Sequence, residues 1–322
     1  MENLISKYNI PGPRYTSYPT VPFWDKEGIQ KAVWIDSVKQ SFAESNSKEG
    51  ISLYIHLPFC ESLCTFCGCN KRITKNHGVE SPYITAVLKE WDLYLELFDE
   101  KPIISELHLG GGTPTFFRPE SLDLLLSGIL DKGIIPEKHS YSFEGHPNNT
   151  KREHLAVMAK HGFERASYGV QDFDEKVQRS INRIQPYKNV AEVTEISREL
   201  GYNSTSFDLV YGLPFQTIGS IESTIEQVKK LMPERIAFYS YAHLPWIKGN
   251  GQRGFDENDL PAPEVKRAMY ETGYRLLLEA GYKEVGMDHF ALEHDEMYQS
   301  YHAKTLHRNF MGYTASKTQL MV

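Results

Sequence analysis

The chain has 322 residues, enough for one large α/β domain with extensions and a substantial core, and its 40% apolar and 24% charged residues are ordinary for a soluble globular protein. A net charge of −7 argues against a nucleic-acid binder, which needs a basic face to neutralise phosphates, but leaves room for a local basic pocket for a small acidic substrate. The first twenty residues, MENLISKYNIPGPRYTSYPT, hold no cationic segment followed by an apolar core, and no stretch approaches the roughly 18 apolar residues of a membrane span, so a cytoplasmic protein is expected.

Residues 1–49 show little periodicity before a helix around 28–45, and PGPRYTSYPT (11–20) reads as an extended segment that wraps the following domain or lines its mouth. From 50 to 245, short β-rich runs alternate with amphipathic stretches. The strands are expected at 51–57, 104–110, 140–145, 165–170, 205–210 and 235–241. Helical patterns fall between them at 81–98, 119–133, 151–162, 189–201 and 220–232, several ending on Gly or Lys. Residues 246–322 are less regular, with one helix at 261–281. The last stretch, GYTASKTQLMV, stops on an apolar run and reads as a truncated end, with a buried terminal strand as the alternative.

Repeated strand–helix units demand parallel strands with right-handed crossovers. Six of them fit a partial parallel (β/α)6 barrel better than a flat sheet, and in either architecture ligands gather at the C-terminal ends of the strands. The candidate chemistry should therefore sit where strands stop.

All four cysteines fall within ten residues, in YIHLPFCESLCTFCGCN: Cys60, Cys64 and Cys67 in C-x3-C-x2-C spacing, then Cys69. Thiolates this close can surround one polynuclear iron–sulfur cluster, and three ligands leave one iron of a cubane open to a chelating substrate. The spacing differs from zinc modules built of two separated pairs, although a structural zinc or a disulfide pair is the plainer reading. After the second strand, Gly110-Gly111-Gly112-Thr113-Pro114 lets bare backbone approach a ligand, with carbonyls and a hydroxyl able to receive an ammonium group. A tight turn would use the same glycines. Glu144 ends the third strand, Gln171 follows the fourth and Asp208 lies within the fifth, groups suited to ribose hydroxyls. Arg183 can fork onto a carboxylate. Taken singly, each would be a cap or a salt bridge.

The cysteine spacing after a first strand, with Phe66 before the third cysteine, resembles the radical S-adenosylmethionine signature. Further segments (PGPRYTSYPT, HLGGGTPTF, SFEGHP, ASYGVQDFD, SINRIQ, DLVYGLP, YAHLPW and LHRNFMGYT), together with Cys69, resemble the oxygen-independent coproporphyrinogen III oxidase family over essentially the whole chain. The resemblance implies a 4Fe–4S cluster on Cys60, Cys64 and Cys67, with Cys69 a mark of the subfamily rather than a fourth ligand. It implies two S-adenosylmethionine molecules, with the amine of a methionyl group at Gly111, Gly112 and Thr113 and its carboxylate on Arg183. The ribose would meet Glu144, Gln171 and Asp208, and Tyr54, Phe66 and Ala242 would contact the cofactor by packing or backbone. As isolated residues those three would be core, as would His56, for which a redox or proton role is the alternative. Arg14, Lys71, Arg72 and Arg308 are candidates for pairing with substrate propionates.

The implied reaction is oxidative decarboxylation of two propionates of coproporphyrinogen III to vinyl groups, giving protoporphyrinogen IX, in a monomer served by an electron donor such as a flavodoxin or ferredoxin. A haem chaperone, a tetrapyrrole-acting radical methyltransferase and an inactive fragment are the alternatives. The implied domain order is an extension at 1–49, the barrel core at 50–245, and a C-terminal extension at 246–322 that ends before a helical C-terminal domain.

Overall fold

The structure, a computed structural model, describes residues 4, 7, 23–25, 28–244, 252 and 254–322. PGPRYTSYPT, with Arg14, lies outside the described residues. In chain order the first elements are α1 (Lys31–Glu49), β1 (Ile51–Leu57), β2 (Phe59–Cys60), β3 (Arg72–Ile73), α2 (Glu80–Leu95), β4 (Ile104–Gly111) and α3 (Pro119–Leu130). There follow β5 (Ser140–Gly145), α4 (Arg152–Lys160), β6 (Phe163–Gln171), α5 (Glu175–Ser180), α6 (Tyr187–Glu199), β7 (Ser204–Tyr211), α7 (Ile218–Leu231) and β8 (Arg235–Ser240). The rest of the chain gives α8 (Pro263–Glu279), β9 (Lys283–Glu284), β10 (His289–Ala291), α9 (Glu296–His302), β11 (His307–Arg308), β12 (Tyr313–Thr314) and β13 (Leu320–Met321).

Six strands, β1, β4, β5, β6, β7 and β8, stand side by side in sequence order and all run parallel. This is the parallel α/β sheet expected from the strand–helix alternation; among the described residues its strand order is open at both edges. The segment after residue 252 adds to both edges. β10 pairs antiparallel with β8 and carries β9 beyond it, while β13 lies parallel to β1 with Leu320 opposite Ile51. Val322 donates to the Ser52 carbonyl and Tyr54 donates to that of Val322, so the apolar run at residues 320–322 is a sheet edge with Leu320 buried.

Period-2 alternation explains why these segments are strands. In β1, Leu53, Ile55 and Leu57 are buried while Tyr54 and His56 alternate with them; β4, β5 and β7 repeat the pattern with Leu107 and Leu109, Tyr141 and Phe143, Phe207 and Leu209. These apolar side chains join one core with the helices, each contributing about 1.5–3 kcal/mol on burial. The helices begin on local signals. Pro119 and Pro263 occupy first turns, and Thr217 and Ser220 form a reciprocal cap on α7, whose Ile221, Ile225 and Val228 face the core.

Candidate active site

The strand face that does not carry the apolar set is rich in polar groups. Along neighbouring strands in register it presents Tyr54 and His56, then Glu106, His108 and Gly110, then Ser142 and Glu144, then Ser167 and Gly169, then Ser206 and Asp208. These groups are joined laterally. Ser52 donates to Glu106 at 2.8 Å, His108 Nδ1 and the Ser142 hydroxyl are 2.8 Å apart, His108 Nε2 stands 3.6 Å from Glu144, and Ser167 donates to Asp208 at 3.5 Å.

The cysteine loop leaves the C-terminal end of β1. It is closed at its base by the short β2–β3 pairing, with Arg72 N on the Pro58 carbonyl and Thr74 N on that of Cys60. All four cysteines are free thiols; Cys60, Cys64 and Cys67 are half-buried and Cys69 is exposed. Their environments differ. Cys69 hydrogen-bonds to Cys67 through thiol and backbone and, with Lys71 and Arg183 nearby, holds the Cys67 thiol down at about 6 despite burial, whereas burial pushes Cys60 up. Lys71 Nζ donates to the carbonyls of Cys67 and Cys69, which ties the turn together.

The glycine-rich run lies against this loop. Gly112 N donates to the Leu57 carbonyl at 2.9 Å, Thr113 N to that of Phe59 at 3.0 Å, and the Thr113 hydroxyl sits 3.4 Å from Cys60 Sγ. A Cβ on Gly112 would fall 2.6 Å from the Pro58 carbonyl group. Gly111 has a φ of +112°, its added Cβ would strike the His56 ring at 2.6 Å, and its N–H donates to Glu144. These glycines are required by close approach to the chain's own Pro58, Phe59 and His56.

Arg183 reaches the cysteine loop from 119 positions away, its Nη1 standing 3.5 Å from Cys64 Sγ. Its Nε and Nη2 donate to the Gly169 carbonyl and Nε also faces the Gln185 amide oxygen, so the end of β6 holds the guanidinium. That strand end is unusual: Gln171 is buried with a φ of 67° at a register shift in the β6–β7 pairing, a conformation costing an L residue about 1–2 kcal/mol. Asp208 lies one strand across from Gly169 in register; burial, then the Glu144 carboxylate, push its own carboxyl up to about 7 against the pull of Arg183. Thr65 N donates to the Ile181 carbonyl and Asn182 Nδ2 to that of Leu63, a clamp between the cysteine loop and the Arg183 segment.

The remaining expected residues fall around this centre. Phe66 packs against the small apolar cluster of Val177, Ile181, Val210, Leu213 and Tyr241, and Ala242 follows β8 with its carbonyl accepting from Gln252. Tyr54 stacks on His108 and meets Phe310 edge-on at 5.2 Å. His56 bonds through Nδ1 with Tyr54 and through Nε2 with the Asn70 carbonyl, the arrangement of a partnered structural histidine. Arg72 is exposed on β3, and Arg308, exposed on β11, stacks over Tyr313 at 5.0 Å. Sequence reasoning did not single out Gln185, Asn182 or His108, which position Arg183, the loop and Tyr54. The one available signal for His108 was its alternation with leucines in ELHLG.

A parallel α/β sheet with a three-cysteine loop after its first strand, and polar groups from the next strands facing it, defines the class: a radical S-adenosylmethionine enzyme, and residues 54–228 match the model of the Radical SAM superfamily. The superfamily's cofactors are a 4Fe–4S cluster and S-adenosylmethionine. The solved coproporphyrinogen III oxidase of Escherichia coli, described as a radical SAM enzyme, superposes with a TM-score of 0.89 at 35% identity, over 99% of this chain and 71% of that one. Oxygen-independent coproporphyrinogen III oxidases of Helicobacter pylori J99 and Pseudomonas aeruginosa PAO1 are 40% and 38% identical to it, over 97% of this chain and 68% and 67% of theirs. The chain belongs to the oxygen-independent coproporphyrinogen III oxidase family. Among the described residues, no helix is long and apolar enough to cross a membrane.

Proposed function

We propose that this chain decarboxylates two propionates of coproporphyrinogen III oxidatively to vinyl groups, giving protoporphyrinogen IX, with a 4Fe–4S cluster on Cys60, Cys64 and Cys67. The observation that carries the reading is the convergence of the cysteine loop, the glycine-rich run and Arg183 at one end of the parallel sheet. The residues fit the cluster: three thiols from one loop, electrostatically coupled to one another and approached by Thr113 and Arg183, form a soft donor set with hydrogen bonds to sulfur. When bound, the reduced cluster and S-adenosylmethionine supply a 5′-deoxyadenosyl radical able to take a hydrogen atom from the β-carbon of a propionate.

The chain's own residues bind and orient. Arg183 receives the methionyl carboxylate and the Gly111–Thr113 backbone and hydroxyl receive the amine. Glu144, Gln171 and Asp208 take the ribose hydroxyls, and Tyr54, Phe66 and Ala242 line the cofactor. A carboxyl held near 7 at Asp208 both donates and accepts around neutral pH, which suits a hydroxyl partner. Among the basic candidates, Arg308 is the best placed for a substrate propionate, because its hairpin carries Phe310 onto Tyr54. Two S-adenosylmethionines serve two propionates, a flavodoxin or ferredoxin supplies electrons, and the protein works as a cytoplasmic monomer. Residues 50–245 form the catalytic core, with extensions at 1–49 and 246–322. The relatives reported above are all coproporphyrinogen oxidases, which supports this reading over a haem chaperone or a methyltransferase.

Anaerobic reconstitution followed by reduction with S-adenosylmethionine and coproporphyrinogen III tests it. Formation of 5′-deoxyadenosine with vinyl-bearing product is expected; tight haem binding with no turnover would favour the chaperone instead.

A further inference from the structure

Arg183 cannot saturate a carboxylate by itself. Its Nε and one Nη2 proton are engaged by the Gly169 carbonyl and Gln185, and Nη1 is shared with Cys64 Sγ. A carboxylate has about four lone-pair sites, so an anion at this guanidinium needs donors from elsewhere. The group that feels its charge is His146, two residues beyond Glu144 on the turn after β5, which is tied to the Arg183 segment by Asn148.

The turn fixes which nitrogen of His146 carries the proton. Asn149 N and Thr150 N both donate to the His146 carbonyl, and the Asn148 amide donates to His146 Nδ1 at 3.2 Å. A backbone N–H can only donate, so Nδ1 accepts and the proton of the neutral ring is on Nε2. The same turn is tied to the Arg183 segment: Asn148 Nδ2 donates to the Ile184 carbonyl at 2.8 Å, and Asn189 Nδ2 holds Asn148 Oδ1 at 2.9 Å. Burial, reinforced by the nearby Arg183 charge, lowers the imidazole to about 3, so it stays neutral. A neutral donor can stand beside a guanidinium without repelling it or capturing Glu144 as an imidazolium would.

We propose that His146 is a further binding residue, donating from Nε2–H to the methionyl carboxylate held by Arg183. This rests on the assignment of that carboxylate to Arg183. A hydrogen bond from this neutral ring to a charged acceptor is expected to change affinity about tenfold or more.

The test is equilibrium binding to the cluster-reconstituted, unreduced full chain, with S-adenosylmethionine and with 5′-methylthioadenosine, which lacks the amino-acid end. His146→Leu should weaken S-adenosylmethionine about tenfold and leave methylthioadenosine within twofold, and His146→Gln, which keeps a donor near the Nε2 position, should recover most of the loss. Unchanged S-adenosylmethionine affinity in His146→Leu, or equal loss of both ligands, overturns the proposal. Should Arg183→Met leave S-adenosylmethionine affinity intact, the carboxylate assignment itself is wrong, and the His146 proposal falls with it. Independently of variants, 15N spectra of histidine-labelled chain should show His146 as the Nε2–H tautomer, with that resonance moved by S-adenosylmethionine and not by methylthioadenosine. An Nδ1–H tautomer, or no movement, overturns the proposal even where His146→Leu fails to fold.

Discussion

Of two glycines near the cysteines, only one should respond to substitution by alanine. A Cβ on Gly112 would lie 2.6 Å from both atoms of the Pro58 carbonyl and 2.9 Å from that of Phe59, so relief to ordinary contact near 3.4 Å requires a shift of about 0.8 Å. These neighbours are backbone, and they are held by the Gly112–Leu57 and Thr113–Phe59 hydrogen bonds, so the strain is transmitted to Cys60. Overpacking of this kind costs about 1–3 kcal/mol, and with an unfolding entropy of about 2.1 cal/mol/K per residue a chain of this size loses about 1.5 °C in Tm per kcal/mol. Gly112→Ala should therefore lower the Tm of the metal-free chain by about 1–5 °C and reduce iron uptake on reconstitution. Gly68, inside the cysteine loop, has nothing within 4 Å of an added Cβ, and Gly68→Ala should leave both readouts unchanged. Differential scanning fluorimetry with iron analysis decides the matter. A Gly112→Ala chain as stable and as fully loaded as Gly68→Ala would refute the claim that close backbone contact sets the loop.

Asp208 gives a pH-dependent expectation. Its carboxyl is raised to about 7, so below pH 4 both folded and unfolded chains hold the proton, and as pH climbs to 7 only the unfolded chain releases it; stability falls across that window by on the order of 3 kcal/mol. Asp208→Asn removes the fall, so urea denaturation of the metal-free variant should show an advantage that grows from pH 4 to pH 8, against the reasoning if the difference is constant. Cys69→Ala should slow alkylation of Cys67 at pH 7 in the metal-free chain by raising its thiol, while leaving reconstituted iron unchanged; Cys67→Ala should lose the iron. Gln185→Leu removes a buried amide that accepts from Arg183 and donates to the Gly169 and Val170 carbonyls, so it should both weaken S-adenosylmethionine binding and lower the Tm.

The strands were legible because each carries its own period-2 signal: 51–57 and 140–145 coincide with β1 and β5, pairing with a neighbour extends β4, β6 and β7 by one or two residues at their ends, and β8 stops one residue short of 241. What local pattern could not give are elements defined by distant partners. β13 is two residues long and exists because β1, some 270 positions earlier, offers an edge; β9 and β10 depend likewise on β8. The six-residue α5 is too short to show a helical period, yet it begins on an Asp174 cap that was there to be read. The cysteine spacing announced a cluster loop, but nothing near residue 183 signals that Arg183 stands 3.5 Å from Cys64 Sγ, because that proximity is made by the sheet. His146 lies within SFEGHP, but its role depends on which nitrogen the Asn148 amide occupies, and no local pattern shows that.

The central claim is tested most directly by counting products in one anaerobic reaction of the reconstituted chain with reductant, S-adenosylmethionine and coproporphyrinogen III. The account predicts protoporphyrinogen IX with two molecules of 5′-deoxyadenosine per product, both abolished in a Cys64→Ala chain. A preparation of the unsubstituted chain that holds four irons and yet forms no 5′-deoxyadenosine would contradict it.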